Sequence, residues 1–208
     1  MIRQILFASL LAFTLSGCSF PRVIVLHDPL AAEEHVRLGS IYRSQGKIAL
    51  ARDQYRMAVE LDKKDLQAWA LLGEVSYELK EYREAEKAYE RALDLDPKSG
   101  DLHNNLAWVY VAQDRKLGKA SELADKAMEL SPDHRPYYLD TRGMILLKLG
   151  KTQEAITAFR ESVDTLPKDQ PGPLSEAYLH LSEAYQAAGD EPAAKEALQS
   201  SQSLAEKH

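Results

Sequence analysis

Gly39 and Gly73 stand 34 residues apart, and what surrounds them recurs in register. Leu38-Gly39 is followed by Tyr42, Ala51, Tyr55 and Ala58; Leu72-Gly73 is followed by Tyr77, Ala85, Tyr89 and Ala92. A third unit runs through Leu106, Ala107, Tyr110, Ala120, Ala124, Ala127 and Pro132, and a fourth through Gly143, Gly150, Ala155, Phe159, Ser162 and Pro167. A fifth, more degraded, uses Tyr178, Leu181, Tyr185, Gly189, Ala194 and Leu198. A period of this length constrains the fold more than any composition does. Each unit is one supersecondary element too small to bury its own apolar face, so the units must stack. Within a unit, Trp69, Leu72, Gly73 and Tyr77 fall at helical spacing and make one apolar stripe. Small residues such as Gly73, Ala85 and Ala92 let two helices approach closely. Pro97, Pro132 and Pro167 close the second helix of their units, since proline cannot continue the hydrogen-bond ladder. The chain therefore reads as all-α.

The second unit carries W-x2-L-G in Trp69, Leu72 and Gly73, A-x3-aromatic in Ala85 and Tyr89, then Ala92 and Pro97. This resembles the tetratricopeptide repeat (TPR) family. The resemblance implies a right-handed superhelix of about five helix-turn-helix units and about ten antiparallel helices. The units run approximately over residues 32–65, 66–99, 100–134, 136–169 and 175–208, within an array spanning 31–206. Departures are local. Ser76 stands where the first tyrosine is usual, Lys63 replaces the first closing proline, and one residue is inserted near Arg115 to Gly118. The turn-rich "DQPGP" of Asp169 to Pro173 is expected to lengthen the loop before the fifth unit.

The start of the chain reads differently. Arg3 precedes an apolar run from Ile5 to Leu15, 11 residues where about 20 are needed to cross a bilayer as a helix. Its length and basic flank match the apolar region of a secretory signal. Leu15-Ser16-Gly17-Cys18 then resembles the lipobox of bacterial lipoproteins. That resemblance implies a signal peptide over residues 1–17 and acylation of Cys18, with residues 18–30 as a lipidated tether. Several acyl chains suffice for stable anchoring where one is marginal. Ser19 stands where an inner-membrane retention signal would carry Asp, which in a Gram-negative cell points to the outer membrane. Val23 to Leu26 is expected to dock on the first hairpin, and Asp28-Pro29 reads as a helix start.

The remaining residues exclude more chemistry than they indicate. A net charge of −6 argues against a phosphate-binding face for nucleic acid. One cysteine makes neither an internal disulfide nor a cysteine-based zinc site. The six histidines show no i, i+4 pair, and His35 and His103 occupy the position that Trp69 fills, a packing position. No nucleophile elbow or phosphate-cradling glycine loop occurs. No catalytic residue, metal or cofactor is expected beyond the lipid on Cys18, and no small-molecule substrate.

In the tetratricopeptide family the first helix of each unit lines a concave groove. By that resemblance the groove would present Val36 and Arg43, then Glu74, Tyr77 and Glu78, then Asn104 and Trp108, then Tyr137, Asp140 and Met144. The fifth unit would add Glu176, Leu179, Glu183 and Gln186. Gly39, Trp69, Leu72, Gly73, Ala85, Tyr89, Ala92, Pro97, Ala120, Ala127, Pro132, Gly143 and Ala155 are the repeat's own framework. Trp108 is expected to pack more than to line the groove. The mixture of carboxylates and aromatic rings suits a partner segment with apolar anchors and some basic side chains. The expected function is a membrane-anchored, non-catalytic adaptor for envelope assembly or secretion proteins. Lipobox and repeats together resemble the pilotin lipoproteins of the type IV pilus; an accessory to polysaccharide export or cell-wall enzymes is the alternative.

Overall fold

The computed structural model describes residues 30–206. The signal peptide, Cys18, the Val23 to Leu26 segment and the Asp28-Pro29 helix start lie outside the described residues. Ten α-helices fill the described chain: α1 (Ala32–Ser44), α2 (Ile48–Leu61), α3 (Leu66–Glu78), α4 (Tyr82–Leu95), α5 (Gly100–Ala112), α6 (Leu117–Leu130), α7 (Arg135–Lys148), α8 (Thr152–Thr165), α9 (Pro171–Ala188) and α10 (Glu191–Ala205). One 3-10 turn, Pro132–His134, joins α6 to α7. Each helix packs on the next along the chain, and α5 also touches α7, as α7 touches α9. The odd-numbered helices thus crowd the inside of the curve. This is the tetratricopeptide solenoid that the period implies.

The helix ends repeat as faithfully as the helices. Asp65 and Ser99, 34 positions apart, cap α3 and α5 by accepting from the N–H of Ala68 (2.9 Å) and Leu102 (3.3 Å). Each hairpin turn closes with a backbone N–H reaching back five residues: Lys47 to Tyr42 O, Glu81 to Ser76 O, Arg115 to Tyr110 O, Lys151 to Leu146 O and Asp190 to Tyr185 O, all between 2.8 and 3.1 Å. That bond requires a left-handed residue just before the donor. Gly46, Gly150 and Gly189 supply it, while Lys80 and Asp114 adopt φ of 60° and 49° with a Cβ in place. The residue inserted near Arg115 appears as a fourth turn residue and a second left-handed position, Lys116.

Between the helices of a hairpin, a small residue faces a large one 16 positions on. A Cβ placed on Gly39 would lie 2.5 Å from the Tyr55 ring, and on Gly73 2.7 Å from Tyr89; on Gly143 it would press on Phe159. In the fifth unit the corresponding positions are Ser182 and Leu198, and in the third the inserted turn residue shifts the register by one, so that Ala124 takes the place of the ring opposite Ala107. Tyr55 and Phe159 are fully buried, each stabilising its unit by roughly 1.5–3 kcal/mol. Ala85, Ala92, Ala120, Ala127 and Ala155 are buried, as is Leu72. Pro97 and Pro132 are exposed and serve only to end helices.

Two expectations need correction. The "DQPGP" stretch is not a spacer: Pro171 to Pro173 form the first turn of α9, which at 18 residues is the longest helix. The first N–H groups of a helix have no partner inside it, so proline costs nothing there. The fifth unit therefore starts near residue 171, and the linker before it is only 166–170. Trp69 packs against the cores of the first three hairpins but is only half-buried, its Nε1 donating to Lys63 O at 3.0 Å, so it forms the edge of the core and not its interior.

The size pairing predicts a coupled effect. Gly143→Ala should lower stability by about 1–3 kcal/mol through overpacking against Phe159. Adding Phe159→Leu, which approaches the small–Leu combination of Ser182 and Leu198, should cost less than the two single changes summed; urea unfolding of the four proteins measures this. Lys80→Gly should instead raise the urea midpoint, by up to about 1 kcal/mol in stability, by relieving the left-handed strain.

Candidate functional site

The inner faces of α3, α5, α7 and α9 enclose a groove whose central cavity measures about 540 Å³. Tyr77 and Tyr89, Asn104 and Trp108, Tyr137 and Asp140, and Glu176 and His180 line it. Trp108 is half-buried and forms part of this wall, tilted at 39° over the His180 ring with centroids 5.7 Å apart. It both packs and faces the cavity. Tyr137 donates its hydroxyl to Gln170 Oε1 at 2.5 Å, which anchors the ring at the groove's edge.

His180 is the hub of the site. Its ring lies between Trp108 and Phe159, the latter at 5.9 Å, and its Nδ1 meets both carboxylate oxygens of Asp140, at 3.0 and 2.9 Å. Only 18% of the His180 side chain and 14% of the Asp140 side chain remain exposed. Burial opposes charge on the imidazole, but the Asp140 hydrogen bond and the carboxylates of Asp140, Glu183 and Glu176 outweigh it. The His180 pKa therefore stands above its ordinary 6.5. The pair ties α9 to α7 across two hairpins. His180 was absent from the sequence-derived groove because it occupies the sixth position of its unit, one beyond Leu179. Asn105, also at a sixth position, lines the same cavity, and that parallel was the available signal.

The other expected residues divide. Val36 is 7% exposed and belongs to the core of the first hairpins, so it does not line the groove. It turns inward because α1, with Ala31 as its N-cap, packs that face on α2. Arg43, Glu74 and Glu78 come together, with the guanidinium donating to Glu74 at 2.5 Å and to Glu78. The single cation only partly neutralises the two carboxylates, and the three side chains make a strut between α1 and α3. Met144 is partly buried against its neighbours. Asn104 is 9% exposed on the cavity floor, and its Oδ1 is buried with no hydrogen-bond partner. An acceptor left in that state costs free energy until a donor reaches it. Tyr77 is raised above its ordinary pKa first by burial, then by Tyr82 and by Glu176, and Tyr77 on α3 and Glu176 on α9 line the same cavity. Glu176 and Glu183 make no ion pair among the described residues.

His35 and His103 do pack, with Nδ1 against Gln54 Oε1 at 2.9 Å and Ser99 O at 2.8 Å. Among the described residues, no three His, Cys, Asp or Glu side chains converge as a metal site requires. No helix there is long and apolar enough to cross a membrane.

Stacked hairpins with an aromatic, carboxylate-edged inner channel define a tetratricopeptide-repeat scaffold, a class that mediates protein–protein interaction. The chain belongs to the family described as the cytochrome c-type biogenesis protein H TPR domain, which matches residues 56–173, and tetratricopeptide repeats match 35–65 and 176–204 as well. It is similar to the type IV pilus assembly protein PilF of Pseudomonas aeruginosa, 29% identical over 109 residues, covering 50% of this chain and 42% of that protein. An uncharacterized protein of Haemophilus influenzae is 28% identical over 137 residues, covering 66% and 74%. The chain spans only 18% of the Caenorhabditis elegans tetratricopeptide repeat-containing protein trd-1, at 26% identity over 70% of its own length. Among solved structures it resembles PilW, described as a widely conserved type IV pilus biogenesis factor, with a TM-score of 0.71 and 22% identity over 84% of this chain and 78% of that one. At that identity the likeness concerns the fold.

The raised His180 pKa carries a sign. Its contribution to stability is fully present below pH 6.5 and is lost as pH rises through the higher folded value. Thermal unfolding at pH 6 and pH 8 should show wild type losing stability at the higher pH, and His180→Gln should lose less.

Proposed function

We propose that this chain is a non-catalytic, membrane-anchored scaffold of the bacterial envelope that holds a segment of a partner protein in its concave groove. One observation supports this best: a channel walled by Tyr77, Trp108 and Tyr137, with Asn104 on its floor and Glu176, which makes no ion pair among the described residues, at its side. The rings offer flat apolar area at low entropic cost. The Glu176 carboxylate favours a basic side chain. The ligand is thus an extended or helical segment with an apolar anchor and at least one Lys or Arg. The Arg43–Glu74–Glu78 strut sets the channel's end and takes no direct part.

The address comes from Cys18, which the lipobox pattern marks for acylation, with the outer membrane as destination in a Gram-negative cell. Resemblance to PilF and to the PilW fold supports a role in type IV pilus assembly. The name of the matched family supports cytochrome c maturation as a competing client class.

Cys18→Ala should move the protein from the detergent phase to the aqueous phase on Triton X-114 partitioning; unchanged partitioning rules out the anchor. In co-purification from envelope membranes, Trp108→Ala and Glu176→Lys should each weaken partner capture by about tenfold or more. Full retention of every partner by both variants would place binding outside the groove. A deletion strain with normal pili and secretin multimers excludes the pilus role.

A further inference from the structure

On the other side of the array, α2, α3 and α4 enclose a second cleft of about 410 Å³. Its floor is apolar, made by Val59, Leu72 and Ala88 beside the half-buried indole of Trp69. Its rim is cationic. Arg56, Lys63, Lys87 and Arg91 line it against two carboxylates, Glu60 and Glu84. Glu84 is already held by Arg56 through two hydrogen bonds of 3.0 and 2.8 Å. Lys63 and Lys87 carry no ion pair among the described residues, and Arg91 has only Asp94 at 3.3 Å, with both of those side chains largely exposed. The rim is thus net positive on a chain whose net charge is −6.

The arrangement opposes the helix's own stability. Arg83, Lys87 and Arg91 stand at i, i+4 and i+8 on α4, so each neighbouring pair repels along one face. Elsewhere the same region neutralises its charges: Arg52 and Arg56 are also four apart, and Asp53, Glu81 and Glu84 surround them. In the row on α4, Arg83 and Lys87 make no ion pair among the described residues and Arg91 meets only the exposed Asp94.

We propose that this cleft is a second docking site, for an acidic segment of a partner protein that seats one apolar side chain against Trp69 and sets its carboxylates on Lys63, Lys87 and Arg91. The volume and apolar floor suit a single large side chain, and the rim's charge complements Asp and Glu. A nucleic acid needs a longer basic track, and the acidic remainder of the chain repels it. The site shares no residue with the concave groove and stands whether or not the groove binds. It would allow one scaffold to hold two different segments, a basic one inside and an acidic one outside.

The test uses the full chain and a fluorescein-labelled decapeptide of Asp and Glu around one central Leu, followed by anisotropy. Saturable binding that weakens with salt is expected, and Lys87→Glu with Arg91→Glu should weaken it at least about tenfold. In Trp108→Phe the remaining tryptophan, Trp69, should shift its emission as peptide binds. Lys87→Glu alone should melt close to wild type while binding less, because it reverses two i, i+4 repulsions, with Arg83 and Arg91, and two i, i+3 attractions, with Glu84 and Glu90. That separates a lost site from a damaged fold. Absence of saturable binding, equal affinity for the peptide with Ala in place of Leu, or equal affinity of the charge-reversed protein each overturns the proposal. So does capture by phosphatidylglycerol vesicles but not by peptide, which would assign the rim to lipid.

Discussion

The close approach of the two helices in each hairpin governs everything else in this molecule. Gly39, Gly73 and Gly143 lack the Cβ that Tyr55, Tyr89 and Phe159 would strike, so ring and backbone lie in contact. Where the large residue shrinks to Leu198, the small one grows to Ser182. Close contact across that pair fixes the hairpin geometry, and a recurring hairpin is what lets one unit stack on the next with a similar rotation. The curve of the array, and therefore the concave channel, is the sum of those repeated small rotations.

Charge is handled differently on the two surfaces. Inside the curve, carboxylates are partly neutralised by single cations placed between helices: Arg43 between Glu74 and Glu78, and His180 against Asp140. These bridges cross from unit to unit and stiffen the channel, while Glu176 at its side makes no ion pair among the described residues. Outside the curve, Arg52 and Arg56 are neutralised by acids from their own and the next hairpin, and Lys116 with Arg115 closes on Glu86. The cationic row of α4 departs from that pattern. An interaction scaffold selects its partners through such local imbalances of charge and apolar area.

Much of the site was legible because the repeat assigns positions to faces. Tyr77, Asn104, Trp108, Tyr137 and Asp140 all reach the channel as their repeat positions imply. Val36 did not, because α1 packs that residue on α2 within the first hairpins. His180 went unread because its importance arises from Asp140, 40 residues earlier, and from Trp108 and Phe159 on two further helices. No spacing within one unit encodes such a meeting. The turn at Asp169 to Pro173 was misread for a local reason: prolines and glycine look like a loop, yet the first turn of a helix needs no N–H donors.

The sequence by itself determined the class of fold, the number of units, the ends of most helices and the apolar partners inside each hairpin. These depend on contacts within about one period, and a 34-residue pattern states them directly. It also carried the Cys18 motif, a signal read as a linear string. Only the tertiary structure decided which carboxylates are spoken for and which are free, that Trp108 faces a cavity while resting on His180, and that Tyr77 and Glu176 line the same cavity. Those facts join residues up to three units apart. They follow from the accumulated rotation of the stack, which is a property of the assembled array and of no single repeat.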